Sequence, residues 1–147
     1  MFVYKEIKKL PFIKHAFFSR NGGNSKSIYT SLNCGLNSKD NKKTILENRR
    51  IALKKLGLQR KKLIVPNQIH SNIIKVVKNN TKIEKIKADG LLTISNKFVL
   101  GILTADCAPV FLIDEKKKII CAMHVGWKGA KKNIIKSGVK LMLEYGS

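Results

Sequence analysis

The stretch "TADCAPVFLIDEKKKIICAMHVGWKGA", residues 104–130, reads as two apolar strands around a lysine-rich turn. The apolar residues on either side of the lysine turn are ordinary core material. The hairpin opens with Asp106 and Cys107 and closes with His124 and a glycine-tryptophan turn. If Glu115-Lys116 is a two-residue turn, Asp114 pairs with Lys117 and Cys107 lies directly opposite His124. Directly opposed β-carbons sit ~4.5–5.5 Å apart, close enough for thiol and imidazole to share a metal or a proton. A four-residue loop makes them diagonal neighbours, still on one face; a loop of three or five residues separates the faces. Pro109 removes a ladder donor beside Cys107.

Outward from the hairpin, "ADGLLTI" (88–94) and "KFVLGILTAD" (97–106) read as further strands. "KLIVPNQIHSNIIKVV" (62–77) reads as two short strands, broken at Pro66-Asn67 before Gln68 and His70. The spacing of Ile45, Ala52 and Leu56 predicts a helix from about Thr44 to Leu56, with Thr44 and Glu47 as a capping box and Gly57 as its C-terminal cap. "GAKKNIIKSGVKLML" (129–143) predicts one closing helix with Ala130, Ile134, Val139 and Met142 on its inner face, a reading that Gly138 weakens. Before the first helix come a short lead-in, a strand "HAFFSR" (15–20), a glycine turn "NGGNS" (21–25) and a loop. Short strands mixed with two helices, without strict β-α alternation, predict an α+β fold of mixed β-sheets and flanking helices.

A length of 147 residues and a hydrophobic fraction of 44% fit one globular domain, 1–147. Asp106 breaks the most apolar run, so no stretch approaches the ~18 apolar residues of a membrane span. "MFVYKEIKKLPF" has scattered lysines and no apolar h-region, so no secretory signal is expected and a cytoplasmic location is. Thirty Lys and Arg against nine Asp and Glu give a net charge of +21, which invites a nucleic-acid reading. The lysines, however, neither cluster on one periodic face nor alternate with aromatics as a stacking platform requires. The charge reads as a solvated coat attractive to anions in general, and no specific nucleic acid is expected.

The cysteines stand at 34, 107 and 121 with no CxxC pair, which fits a reducing compartment and no disulfide framework. Cys121, in mid-strand, reads as a small core hydrophobe and Cys34 as incidental. Two chemistries use a thiol beside an imidazole. The imidazole can act as base to a thiolate nucleophile. Alternatively both can bind a zinc-like ion, and His70 in "NQIHS" is then the natural third ligand; three ligands and a water is the pattern of a catalytic site. Asp106 would orient a ligand or water, or simply end a strand.

"HAFFSRNGGNS" (15–25), "SLNCGL" (31–36), "ENRR" (47–50), "NQIHS" (67–71), "ADGLLT" (88–93), "TADCAPVFLID" (104–114) and "HVGWKGA" (124–130) stand in a particular order. From His15 to about Ala130 the chain thereby resembles the laccase-like multicopper polyphenol oxidoreductase family. That family is also described as purine nucleoside phosphorylases, and one of its branches as a peptidoglycan editing factor. The resemblance implies His70, Cys107 and His124 as ligands of zinc, with copper possible; Cys107 and His124, with Asp106 beside them in the chain, are taken as the catalytic group. It implies Arg20, with the glycines after it, and Gln68 along the substrate pocket, with Asn48 and Arg49 supporting from a helix. A guanidinium beside a glycine turn also makes an anion cradle, so Arg20 is assigned to phosphate, while "NGG" would equally serve as a tight turn. Trp127 is assigned to packing. The activities implied are phosphorolysis of purine nucleosides, including methylthioadenosine, and deamination of adenosine. Three ligands on one metal do not make a multicopper electron relay. The chain ends at Ser147, where family members continue for much of another half-domain, so the expectation is a domain incomplete at its C-terminus. The competing readings are a metal-free Cys-His hydrolase of cell-wall precursor amides, a basic nucleic-acid module and an inactive remnant.

Overall fold

The computed structural model describes residues 1–81 and 86–147, and the chain divides into two compact units, 1–60 and 61–147. In the first unit, a four-residue helix α1 (Lys5–Lys8) precedes a 3-10 turn (Ser27–Tyr29) and the helix α2 (Lys42–Lys55). The expected strand at 15–20 contracts to one antiparallel bridge, Phe2 with Phe17. α2 begins ahead of the expected capping box. The Asn41 side chain accepts the amides of Lys43 and Thr44, at 2.9 and 3.2 Å, so Thr44 lies inside the helix. Gly57 ends it as expected: at φ 66° it turns the chain so that its amide and that of Leu58 bond the carbonyls of Lys54 and Leu53.

The second unit contains β1 (Lys62–Ile64), β2 (Ile74–Val76), β3 (Gly90–Thr93), β4 (Phe98–Leu100), β5 (Ala108–Asp114) and β6 (Ile119–Val125). Two helices follow, α3 (Trp127–Lys131) and α4 (Ile134–Glu144). Four strands form a mixed sheet in the order β2-β3-β6-β5, with β2 and β3 parallel and the other pairs antiparallel; β1 and β4 make a separate parallel pair. The fold is α+β with mixed sheets. Among the described residues no helix is long and apolar enough to cross a membrane.

The hairpin departs from the two-residue turn. Asp114 pairs with Ile119, leaving the four-residue loop 115–118, and Pro109 rather than Cys107 faces His124. A two-residue turn of the favoured type needs positive φ at both central residues, which Glu115 and Lys116 resist. Instead Asp114 Oδ1 accepts the Lys117 amide at 2.8 Å, and Lys118 alone takes a left-handed φ of 56° to re-enter the strand. An even loop keeps the parity, so Cys107, just ahead of β5, is the diagonal neighbour of His124 on its own face.

The closing helix is two helices, because Asn133 adopts φ 58°, ψ 45° between them, a conformation asparagine tolerates better than most. The stripe that α4 buries is Ile134, Gly138 and Met142, spaced i, i+4, i+8, while Ala130 and Val139 are exposed. A β-carbon on Gly138 would lie 2.8 Å from Met123 Sδ and 3.1 Å from Leu112 Cδ1, so α4 rests its backbone directly on the sheet. That contact explains both the glycine and the misplaced Val139: a hydrophobic stripe read from side chains skips a residue that has none. Leu92, Ile119, Cys121 and Met123 form the core with Ile134 and Met142. Ile64, Val77, Ile86, Ala88 and Leu91 form a second cluster, to which Phe98 and Leu100 of β4 add.

Candidate metal centre

Three segments of the second unit converge. His70 comes from the loop between β1 and β2, Cys107 from the bend before β5, and His124 from near the end of β6. One ligand atom from each lies within 4.8 Å of the other two. Donors around one tetrahedral zinc are roughly 3.3–3.7 Å apart, given bonds of ~2.0–2.3 Å, so small side-chain rotations close the set on an ion. The imidazoles meet edge to face with centroids 4.9 Å apart. His124 is buried, Cys107 half-buried and His70 exposed, so the cluster opens on one side.

The backbone makes room for it. A β-carbon on Gly126 would stand 3.0 Å from Cys107 Sγ, 3.3 Å from His70 Cδ2 and 3.6 Å from His124 Cε1. All three ligand side chains press on the space that glycine leaves free. The donor set, one thiolate and two imidazoles with an open side, suits zinc or copper rather than a hard oxygen-seeking cation.

Gln68 turns its amide to the backbone. Nε2 donates to the Leu103 carbonyl at 2.7 Å and Oε1 accepts the Leu103 amide at 2.8 Å, tying the His70 loop to the segment that leads into Cys107. Asp106 is exposed, and among the described residues it bonds to none of the three donors. The carboxylate that does reach them is Asp89, fully buried just ahead of β3, with Oδ1 2.9 Å from His124 Nδ1 and 3.0 Å from the His70 amide. Burial works to raise its pKa. Hydrogen bonds from the Ser71 hydroxyl and amide, from His124 and from the His70 amide outweigh that and hold it below the ordinary carboxylate value. Asp89 was not singled out from the sequence, where "ADG" looks like a strand start; its one signal is an acid directly before an apolar run.

Arg20 and Arg49 belong to the first unit. Arg20 is exposed, with Nε donating to the Thr30 carbonyl at 2.7 Å. The amides of Gly22 and Gly23 both go to Ser31 Oγ, at 2.8 and 3.2 Å, so the glycine turn is closed by a serine. Arg49 Nε donates to the Cys34 carbonyl at 2.9 Å. Trp127 does not pack as expected: it is 72% exposed, with Lys128 Nζ 5.4 Å from its ring centroid.

The three thiols differ in accessibility. Burial pushes Cys121 up to about 12, and burial also raises Cys34, partly offset by the charge of Arg49. Alkylating the folded protein near pH 8 after removal of metal with a chelator, and locating the adducts by mass spectrometry, is expected to label Cys107 and spare Cys121 until denaturant is added. Equal native labelling of Cys107 and Cys121 would contradict the core placement of Cys121.

Residues 14–147 match the family model described as multi-copper polyphenol oxidoreductase laccase. A Corynebacterium glutamicum protein named purine nucleoside phosphorylase is 33% identical over 143 residues, 92% of this chain and 56% of that protein. A Rickettsia conorii protein of the same name is 32% identical over 135 residues, 92% of this chain and 53% of its own length. Among solved structures, Bacillus licheniformis YfiH superposes with a TM-score of 0.81 at 29% identity, over 87% of this chain and 51% of that one. Neisseria meningitidis NMB0706 gives 0.74 at 31% identity, over 84% and 49%. The chain therefore spans about half the length of the curated relatives it matches. With a family model covering all but its first thirteen residues, the chain belongs to the multi-copper polyphenol oxidoreductase laccase family.

Proposed function

We propose that this chain is a metal-dependent purine nucleoside enzyme, acting by phosphorolysis of adenosine, inosine, guanosine or methylthioadenosine, by deamination of adenosine, or by both. The observation that carries the reading is the convergence of His70, Cys107 and His124 around the space kept by Gly126. The names of the relatives supply the substrate class. When bound, zinc or copper supplies a Lewis acid and an acidic water. His70, Cys107 and His124 would hold it, and the open side beside His70 admits substrate. In phosphorolysis the C1′–N bond breaks, phosphate oxygen bonds C1′, and the purine leaves carrying a proton. In deamination water oxygen replaces the exocyclic amine, which leaves as ammonia. Arg20 is assigned to the phosphate: its Nε is held by Thr30, and the outer guanidinium nitrogens present a forked donor pair to an anion. Asp106, exposed beside Cys107, is assigned to orienting water, and Gln68 and Arg49 to supporting the substrate region.

The test is turnover of inosine and adenosine, with and without phosphate, by wild type and Cys107→Ser. Expected are phosphate-dependent release of hypoxanthine from inosine, or ammonia from adenosine, and loss of most of that turnover in the variant. Turnover untouched by the substitution would sink the site assignment, and none in wild type would overturn the function for this chain.

One observation favours a second reading. Asp89, His124 and Cys107 stand in the order of orienting acid, base and nucleophile, as a metal-free Cys-His hydrolase acting on cell-wall precursor amides would require. Purified protein without stoichiometric zinc or copper, together with rapid alkylation of Cys107, would favour it.

A further inference from the structure

We infer that Asp89 is the positioning residue of the centre, the one group that fixes both the tautomer of His124 and the turn that presents His70. What the two histidine nitrogens face rests on the metal reading, whereas the position of the His124 proton can be measured apart from it. Asp89 lies in the segment that zips onto the His70 loop: the Asn67 amide bonds the Ile86 carbonyl, the Ala88 amide bonds the Asn67 carbonyl, and the Asp89 amide bonds the Ile73 carbonyl. From there its side chain gathers five donors. Oδ1 takes the His70 amide at 3.0 Å and lies 2.9 Å from His124 Nδ1. Oδ2 takes the amides of Ile69 and Ser71, at 3.3 and 2.6 Å, and the Ser71 hydroxyl at 2.7 Å. Its own carbonyl accepts the His124 amide at 2.7 Å. Three consecutive amides of the loop and both the backbone and the ring of His124 therefore converge on one buried residue.

Each half of this has a consequence for the donors. His70 sits at φ 56°, a left-handed region uncommon for non-glycine residues, although histidine enters it more often than most. Two neighbouring amides and its own, all turned toward one carboxylate, hold it there. An ionised carboxylate only accepts, so the ring proton of His124 belongs on Nδ1 and the lone pair on Nε2, the nitrogen directed away from Asp89. A histidine that donates one nitrogen to a carboxylate presents the other to a metal in a fixed direction. Asparagine has the same shape and the wrong chemistry. Whichever way its amide is placed, the NH2 faces either the His70 N–H and His124 or the Ser71 N–H. In the first orientation it donates to His124 Nδ1 and drives the proton to Nε2.

Two measurements decide it. Nitrogen-15 NMR of the metal-free wild type at neutral pH is expected to show His124 protonated on Nδ1; protonation on Nε2 would overturn the inference without any variant. Cobalt titration, followed by the thiolate-to-metal charge-transfer band, is expected to show Asp89→Asn binding roughly 10–100-fold more weakly than wild type. Where the asparagine NH2 faces His124, the same variant, with its circular dichroism unchanged, is expected to carry His124 protonated on Nε2, a shift that a merely structural role would not produce; where it faces Ser71, the tautomer stays and the weakened affinity is the readout. A folded Asp89→Asn with wild-type affinity and tautomer would overturn the inference. Where the variant does not fold, the wild-type tautomer alone decides between the two outcomes. A wild type that binds neither cobalt nor zinc would defeat the metal reading, and the His124 tautomer would still test the role of Asp89.

Discussion

Asn48→Ala is expected to destabilise the protein by about 3–5 kcal/mol, the largest loss foreseen for a single side chain outside the metal centre. Asn48 is fully buried in α2, and its amide uses its capacity on the loop that precedes the helix. Oδ1 accepts the Asn24 amide at 2.8 Å; Nδ2 reaches Ser25 Oγ at 2.8 Å, the Ser31 carbonyl at 3.2 Å and the Asn33 carbonyl at 2.8 Å. Alanine leaves the Asn24 amide and the Asn33 carbonyl without this partner, at roughly 1–3 kcal/mol for each one left unsatisfied, and adds a cavity at a fully buried position, whereas Ser25 Oγ keeps Asp40 and the Ser31 carbonyl keeps the Ser25 amide. The packing leaves little room to relax: a β-carbon on neighbouring Gly23 would already lie 2.6 Å from Asn48 Oδ1. For a chain of this size the loss corresponds to a melting temperature lower by roughly 10–15 °C. A thermal melt within about 2 °C of wild type would show that the amide does not hold the loop.

Gly126→Ala is expected to weaken zinc binding by on the order of tenfold to a hundredfold while leaving the fold intact. The new methyl would stand 3.0 Å from Cys107 Sγ, well inside ordinary contact, and 3.3 Å from His70 Cδ2. The backbone itself raises no objection, because Gly126 sits at φ −80°, ψ 168°, which alanine adopts freely. The damage is thus confined to the ligands, which must swing apart to admit the methyl. Competition with a chelator of known affinity reads the constant and a melt reads the fold. Wild-type affinity in the variant would mean that the ligands do not converge on Gly126.

The strands of the second unit and the α2 helix were legible because their signals are local, aliphatic runs between turn residues and Gly57 at a helix end, whereas the strand read at 15–20 is one bridge. The hairpin's parity and the ordered motifs pointed to His70, Cys107 and His124, whose donor atoms the structure brings within 4.8 Å of one another, and parity survives a change of loop length from two to four. What sequence could not reveal is the identity of the supporting acid. Asp106 is beside Cys107 in the chain and exposed in space, whereas Asp89 lies 35 residues from His124 and touches it. Gln68 illustrates the same limit, since its bonds to the Leu103 backbone, 35 residues away, exist only once the chain has folded. Val139 was misplaced because the stripe it seemed to join runs through Gly138, which contributes contact without a side chain.

The most direct measurement of the central claim is X-ray absorption on protein loaded with zinc, paired with metal content by mass spectrometry. The expected result is about one ion per chain, with one sulfur neighbour near ~2.3 Å and two nitrogens near ~2.0–2.1 Å. Cys107→Ser should lose the sulfur shell and most of the metal. Protein that takes up no metal, or a Cys107→Ser variant that keeps both its metal and its sulfur neighbour, would contradict the centre assigned to His70, Cys107 and His124.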